Sequence, residues 1–155
     1  MEQLELTFSA EDSPARTSQW LDAALVVRHP RPLDPQDLQS LLALAEEKNL
    51  QLYLQPKGPD SRKRVNGDQQ RLYFQLAEQQ LRLGFHPGDF TQINADINQA
   101  MVTQALALLQ PEANDRILDL FCGLGNFTLP LATRAGQVVG VEGSEQMVQR
   151  VEHVL

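Results

Sequence analysis

Two glycines and two carboxylates stand at spacings that suit a nucleoside-containing ligand. Asp119-Leu120-Phe121-Cys122-Gly123-Leu124-Gly125-Asn126-Phe127 follows an apolar run. Glycines placed there let the backbone turn tightly and approach a ligand at a helix N-terminus. A lone G-x-G is a weak signal, because many turns carry it. Asp119 sharpens it: it ends the strand four residues before Gly123, where a dinucleotide turn would have an apolar residue. Glu142 ends the next apolar run nineteen residues after Gly123. A carboxylate there accepts hydrogen bonds from both ribose hydroxyls. S-adenosylmethionine carries a ribose, a zwitterionic amino-acid end and a sulfonium, and no pyrophosphate. A carboxylate beside the glycine turn and another on the ribose fit it better than they fit NAD. The plainer reading makes Asp119 a loop cap and Glu142 a solvated strand end; the cofactor reading outweighs it.

Other reactive residue types carry less. Cys122 is the only cysteine, so the chain can form no internal disulfide and no multi-cysteine metal or iron–sulfur site. It lies inside the glycine turn and reads as a small packing residue rather than a nucleophile. His29, His86 and His153 are far apart and lack metal-ligand spacing, so no metal site is expected. Arg62-Lys63-Arg64, with Lys57 and Arg71 nearby, forms the one basic cluster. It could touch RNA phosphates beside Tyr73, but a solvated loop explains it better. Trp20 reads as a core anchor.

The elements that must position these residues fall into two regions. Residues 4–8 alternate as a half-buried strand, and 11–18 read as a turn. Residues 24–28 form a second strand, closed by Pro30 and Pro32. Asp34-Pro35 supplies an N-cap and a proline for a helix running to about Lys48. Residues 50–54, 71–76 and 80–85 are further strands, the last two joined by a turn at 77–79, giving a mostly antiparallel α+β pattern. After Gly88, residues 96–109 place Ile97, Met101, Ala105 and Leu108 on one helical face. An apolar strand at 116–121 leads into the glycine turn, and a helix follows over about 126–134. A strand at 137–141 precedes a last helix through Val154, capped by Ser144. Helix–strand–helix–strand–helix with apolar strands is how a parallel, doubly wound sheet begins.

Composition limits the classes. The 42% apolar and 21% charged content is that of an ordinary soluble protein, which excludes disordered and collagen-like chains. No apolar run approaches the roughly 20 residues of a membrane-spanning helix, and the start of the chain does not read as a secretory signal. The expected location is the cytoplasm, with no membrane partner. A net charge of −7 argues against this segment being the main RNA-gripping surface.

The stretch from Asp119 through Thr128-Leu129-Pro130-Leu131-Ala132 resembles the cofactor motif of bacterial RNA uracil-5-methyltransferases, most nearly the branch acting on 23S ribosomal RNA. The tRNA branch typically has Tyr where Phe121 stands. Pro87-Gly88-Asp89-Phe90-Thr91-Gln92-Ile93-Asn94 resembles the family's F-x-Q-x-N signature, and Val139-Gly140-Val141-Glu142-Gly143 is similar as well. The resemblance is strong from about Phe85 onward and weaker before it.

It implies an α/β fold. Residues 1–88 would form a small α+β central domain. Residues 89–155 would form the first, truncated part of a Rossmann-like S-adenosylmethionine-dependent methyltransferase sheet. It implies cofactor contacts from Gln92, Phe121, Asn126 and Glu142, beside Asp119, Gly123 and Gly125 from the motif. By residue type alone, Phe121 serves equally well as a core aromatic, and Gln92 as a loop residue.

The family's reaction uses a cysteine that adds to carbon 6 of uracil and a base that removes the carbon-5 proton. The resemblance puts both beyond this chain, together with an RNA-binding barrel and, in this branch, an iron–sulfur cluster. The chain alone is therefore expected to be inactive and, with strand edges uncovered, to self-associate. The alternatives are a nucleotide-dependent oxidoreductase fragment, opposed by Asp119 and by Thr128 in place of a third glycine, and a non-catalytic RNA- or protein-binding module.

Overall fold

A computed structural model describes residues 3–8 and 23–151. The turn expected at 11–18, Trp20, His153 and the end of the last helix lie outside the described residues. The chain divides into two compact units, one made of Met1–Leu72 with His86–Gly88, the other of Tyr73–Phe85 with Asp89–Leu155.

In the first unit, β1 (Gln3–Phe8) pairs antiparallel with β2 (Ala23–Arg28). A helix, α1 (Pro35–Glu47), leads to β3 (Gln51–Gln55), parallel to β2, and β4 (Lys63–Arg64) closes the sheet antiparallel to β3. The helix starts where the sequence says it must: Asp34 Oδ1 accepts from Gln36 N at 2.8 Å, with proline in the first turn. Leu25, Val27, Ala45 and Leu52 make the core between α1 and the sheet. β1 alternates as expected but with the opposite face inward: Leu4, Leu6 and Phe8 are exposed, while Glu5 and Thr7 are half-buried, on the edge strand of the sheet.

The basic cluster lies in this unit, and two of its three side chains are spent on loops. Arg62 donates to the Pro87 carbonyl and, at 3.1 Å, to Gln55 Oε1. Arg64 donates to the Asp68 carbonyl and, at 3.1 Å, to Asn66 Oδ1.

The second unit begins with a hairpin, β5 (Leu72–Leu76, of which Leu72 groups with the first unit) and β6 (Leu81–Phe85), joined by a single 3₁₀ turn at Ala77–Gln79. Next come α2 (Ala95–Leu109), β7 (Arg116–Leu120), α3 (Thr128–Ala132), β8 (Gln137–Val141) and α4 (Glu145–Val151). β7 and β8 are parallel, with Asp119 opposite Gly140 and Leu120 opposite Val141. Leu76, Leu81, Leu83, Val102, Leu106 and Leu131 form the core, against which Ile117 and Val138 pack.

Two expectations need correction. The buried stripe of α2 is Asn98, Val102 and Leu106, while Ile97 and Leu108 are exposed. A polar residue at the head of the true stripe hid it from an apolar count. And α3 is shorter than 126–134: the residues before Thr128 are used in the glycine turn, and i→i+3 bonds from Thr133 and Arg134 tighten its end.

The other face of the strand pair is bare. Leu118, Leu120, Val139 and Val141 are 60, 57, 46 and 47% exposed. Parallel strands are normally covered on both faces.

Candidate cofactor site

The parallel register brings the carboxyl ends of β7 and β8 side by side, so Phe121 and Glu142 are the first residues past adjacent strands. In parallel sheets this edge is where ligands bind. The backbone then alternates through the left-handed region, with φ of 61° at Phe121, 56° at Gly123 and 84° at Gly125. Glycine meets this at no steric cost. At Gly123 the nearest atom to an added Cβ would be Met147 Cε at 3.9 Å, so the glycine is needed for conformation, not for space. The turn is tied to β8 by Cys122 N donating to Val141 O at 3.1 Å.

Glu142 locks the turn. Its Oε2 accepts from Gly123 N and its Oε1 from Ser144 N, each at 3.0 Å. These donors, Ser144 first and then Gly123, hold the Glu142 carboxyl below its usual range. The group is thus a carboxylate at neutral pH. It offers about four lone-pair positions; Gly123 N and Ser144 N take two, the Gly143 backbone N–H bears on the carboxylate as well, and the remaining capacity is open to a further donor.

Asp119 accepts from Thr128 Oγ1 at 2.5 Å and so fixes the start of α3 to the end of β7. Asn126 makes a reciprocal amide pair with Asn98, at 2.9 and 2.8 Å. Phe121 is different: the residue is 88% exposed. A bulky residue held at positive φ with its ring in solvent is costly locally, and such positions gather at ligand sites.

Cys122 is half-buried, and its thiol lies against Gly140, where an added Cβ would sit 2.8 Å from Sγ. Burial pushes the thiol pKa up, so Cys122 is protonated and poorly nucleophilic at neutral pH. Gln92 stands exposed in the loop before Asn94, the residue that caps α2 by accepting from Ile97 N at 3.0 Å. Among the described residues, Glu142 and Gly123 are joined directly, while Gln92 is not drawn into this set of bonds. Asn98 and Ser144 complete the arrangement. Sequence reasoning treated Ser144 only as a cap and did not single out Asn98.

The family model described as tRNA (Uracil-5-)-methyltransferase matches residues 20–153. The chain belongs to this family. Curated relatives named 23S rRNA (uracil(1939)-C(5))-methyltransferase RlmD are similar to it. The one from Hahella chejuensis is 57% identical over 82% of this chain, and that from Acidithiobacillus ferrooxidans 51% over 81%. That from Acinetobacter baumannii is 50% identical over 83%. In each case the chain spans 29% of the relative's length. The glycine turn, Glu142 and the Asn98–Asn126 pair all lie within the family match. No helix among the described residues is long and apolar enough to cross a membrane.

Proposed function

We propose that this chain is a piece of an S-adenosylmethionine-dependent methyltransferase acting on carbon 5 of a uridine in 23S ribosomal RNA, and that it carries part of the cofactor site. The observation that carries the reading is the Glu142 carboxylate. It is held ionised beside the glycine turn at the carboxyl edge of two parallel strands, with acceptor capacity left beyond its backbone donors. The relatives' printed names supply the rRNA substrate.

In this reading Glu142 accepts from the ribose hydroxyls, and the exposed Phe121 ring covers an apolar face of the ligand. Asn126 and Gln92 add amide contacts. Asp119, Gly123 and Gly125 shape the turn, and Asp119 does so through Thr128. The bound cofactor supplies the electrophilic methyl group. The methyltransferase domain begins near residue 89 as the start of a Rossmann-like sheet, and residues 1–88 belong to a central domain, except for the β5–β6 hairpin, which shares its core with the residues after Asp89.

Cys122, the only cysteine, is tied into the turn, so the catalytic cysteine would lie outside residues 1–155, and the family resemblance implies the same of the base. Cys122 is the only cysteine of the sequence, so a four-cysteine iron–sulfur cluster would take its ligands from other parts of the enzyme. The enzyme works in the cytoplasm, where its rRNA substrate is. The bare face of β7 and β8 makes the isolated chain self-associate, which light scattering reads as a mass that rises with concentration.

The test is methyl transfer from labelled cofactor to unmodified 23S rRNA by the complete protein. The expected product is 5-methyluridine. Label on any other atom, or none, refutes the proposal.

A further inference from the structure

We propose that Asn98 is a positioning residue for the cofactor site, setting the orientation of the Asn126 amide; the inference rests on the reading that Asn126 faces the cofactor. Asn98 is 3% exposed, at the head of the otherwise apolar stripe that α2 turns to the core. A buried amide is costly unless its hydrogen bonds are met, and here they are met by one partner. Asn98 Nδ2 donates to Asn126 Oδ1 at 2.9 Å, and Asn126 Nδ2 donates back to Asn98 Oδ1 at 2.8 Å.

The reciprocity matters. Turning over either amide alone would set oxygen against oxygen and nitrogen against nitrogen. The two orientations are therefore locked together. Each amide has two N–H groups and two oxygen lone pairs, and the pair uses one of each. Asn126 is left with one donor and one acceptor whose orientation is tied to that of the Asn98 amide.

The base on which Asn98 stands is itself held. Asn94 caps the helix, Gln99 Nε2 donates to Gln79 Oε1 at 2.8 Å, and Thr103 Oγ1 donates to Glu78 Oε2 at 2.6 Å. Those bonds tie α2 to the turn of the β5–β6 hairpin. Asn126, by contrast, sits between Gly125 at φ 84° and the start of a five-residue helix, where local backbone gives its side chain little guidance. A rigid helix thus presets a group on a glycine-rich turn.

The test is a double-mutant cycle in the complete enzyme, reading the Kd for S-adenosylhomocysteine by calorimetry, with thermal melts to establish folding. Asn98→Ala should weaken binding about tenfold, the scale of one lost hydrogen bond. Asn98→Leu, which keeps the core filled, should do the same. In the Asn126→Ala background, Asn98→Ala should add nothing, because the group it positions is gone. A purely structural role would weaken binding equally in both backgrounds, and that additivity overturns the inference. So does an unchanged Kd in Asn98→Leu when Asn126→Ala weakens binding. If Asn126→Ala itself leaves the Kd unchanged, the reading of Asn126 as a cofactor ligand fails first. Should both Asn98 variants unfold, NMR of the wild type decides. Ligand should shift one side-chain N–H proton of Asn126 and leave the proton paired with Asn98 in place; loss of that pairing on binding refutes the proposal.

Discussion

Phe121→Gly separates what the residue costs the fold from what it gives the site. A side chain with a Cβ at φ 61° sits in the left-handed region, at a penalty of about 1–2 kcal/mol. Glycine removes that penalty but brings back about 0.5–1 kcal/mol of unfolded-state freedom. Burying a whole phenylalanine contributes about 1.5–3 kcal/mol, and this residue is 88% exposed, so removing its ring forfeits only a few tenths. The net change in stability lies between about −0.5 and +1.5 kcal/mol in favour of glycine. A core phenylalanine truncated to alanine would lose about 3–5 kcal/mol. Urea denaturation of the 155-residue chain measures this difference. Binding should move the other way: an aromatic ring stacked on a base contributes about 1–3 kcal/mol. The Kd for S-adenosylhomocysteine in the complete enzyme should therefore rise about 5- to 150-fold. A stability loss above about 2 kcal/mol would place the ring in a core. An unchanged Kd would mean that it covers no ligand. Either result refutes the reasoning.

Two further outcomes follow from the same turn. The Glu142 pKa is depressed in the folded state, so its bonds to Ser144 N and Gly123 N stabilise the turn above the ordinary glutamate range and are lost as pH falls through the lowered value. An NMR titration should show the Glu142 carboxyl and the Gly123 amide moving together, with a midpoint below that of an unstructured glutamate. A midpoint at the ordinary value would refute the clasp. Gly140→Ala should lose about 1–3 kcal/mol by overpacking against Cys122 and Thr128, and Cys122→Ala in the same background should recover part of it. Equal stability of Gly140→Ala and wild type by denaturation would show that this contact yields freely.

Much of the fold was legible because its signals are local. Asp34-Pro35 opens α1, and the apolar runs at 116–120 and 137–141 are strands. The glycine spacing marks the turn, and Glu142 is the first residue past β8, as its place after the apolar run indicated. Three things were not legible, each for a physical reason. Apolar counting chose the wrong stripe of α2, since Asn98 is a polar residue whose burial is made tolerable by a partner 28 residues away. Testing the stripe Asn98–Val102–Leu106 would have exposed the anomaly. The bond from Thr128 to Asp119 depends on a turn geometry that residue types do not encode. The exposure of Phe121 follows from its positive φ, which no propensity assigns to phenylalanine.

The central claim is that the Glu142 edge binds S-adenosylmethionine and not a dinucleotide. Side-by-side calorimetric titration of the complete protein with S-adenosylhomocysteine and with NADH tests it most directly. Saturable one-to-one binding of S-adenosylhomocysteine, weakened in Glu142→Ala, with no heat from NADH, is the predicted result. Saturable NADH binding that Glu142→Ala abolishes, or no binding of S-adenosylhomocysteine by the wild type, would contradict it.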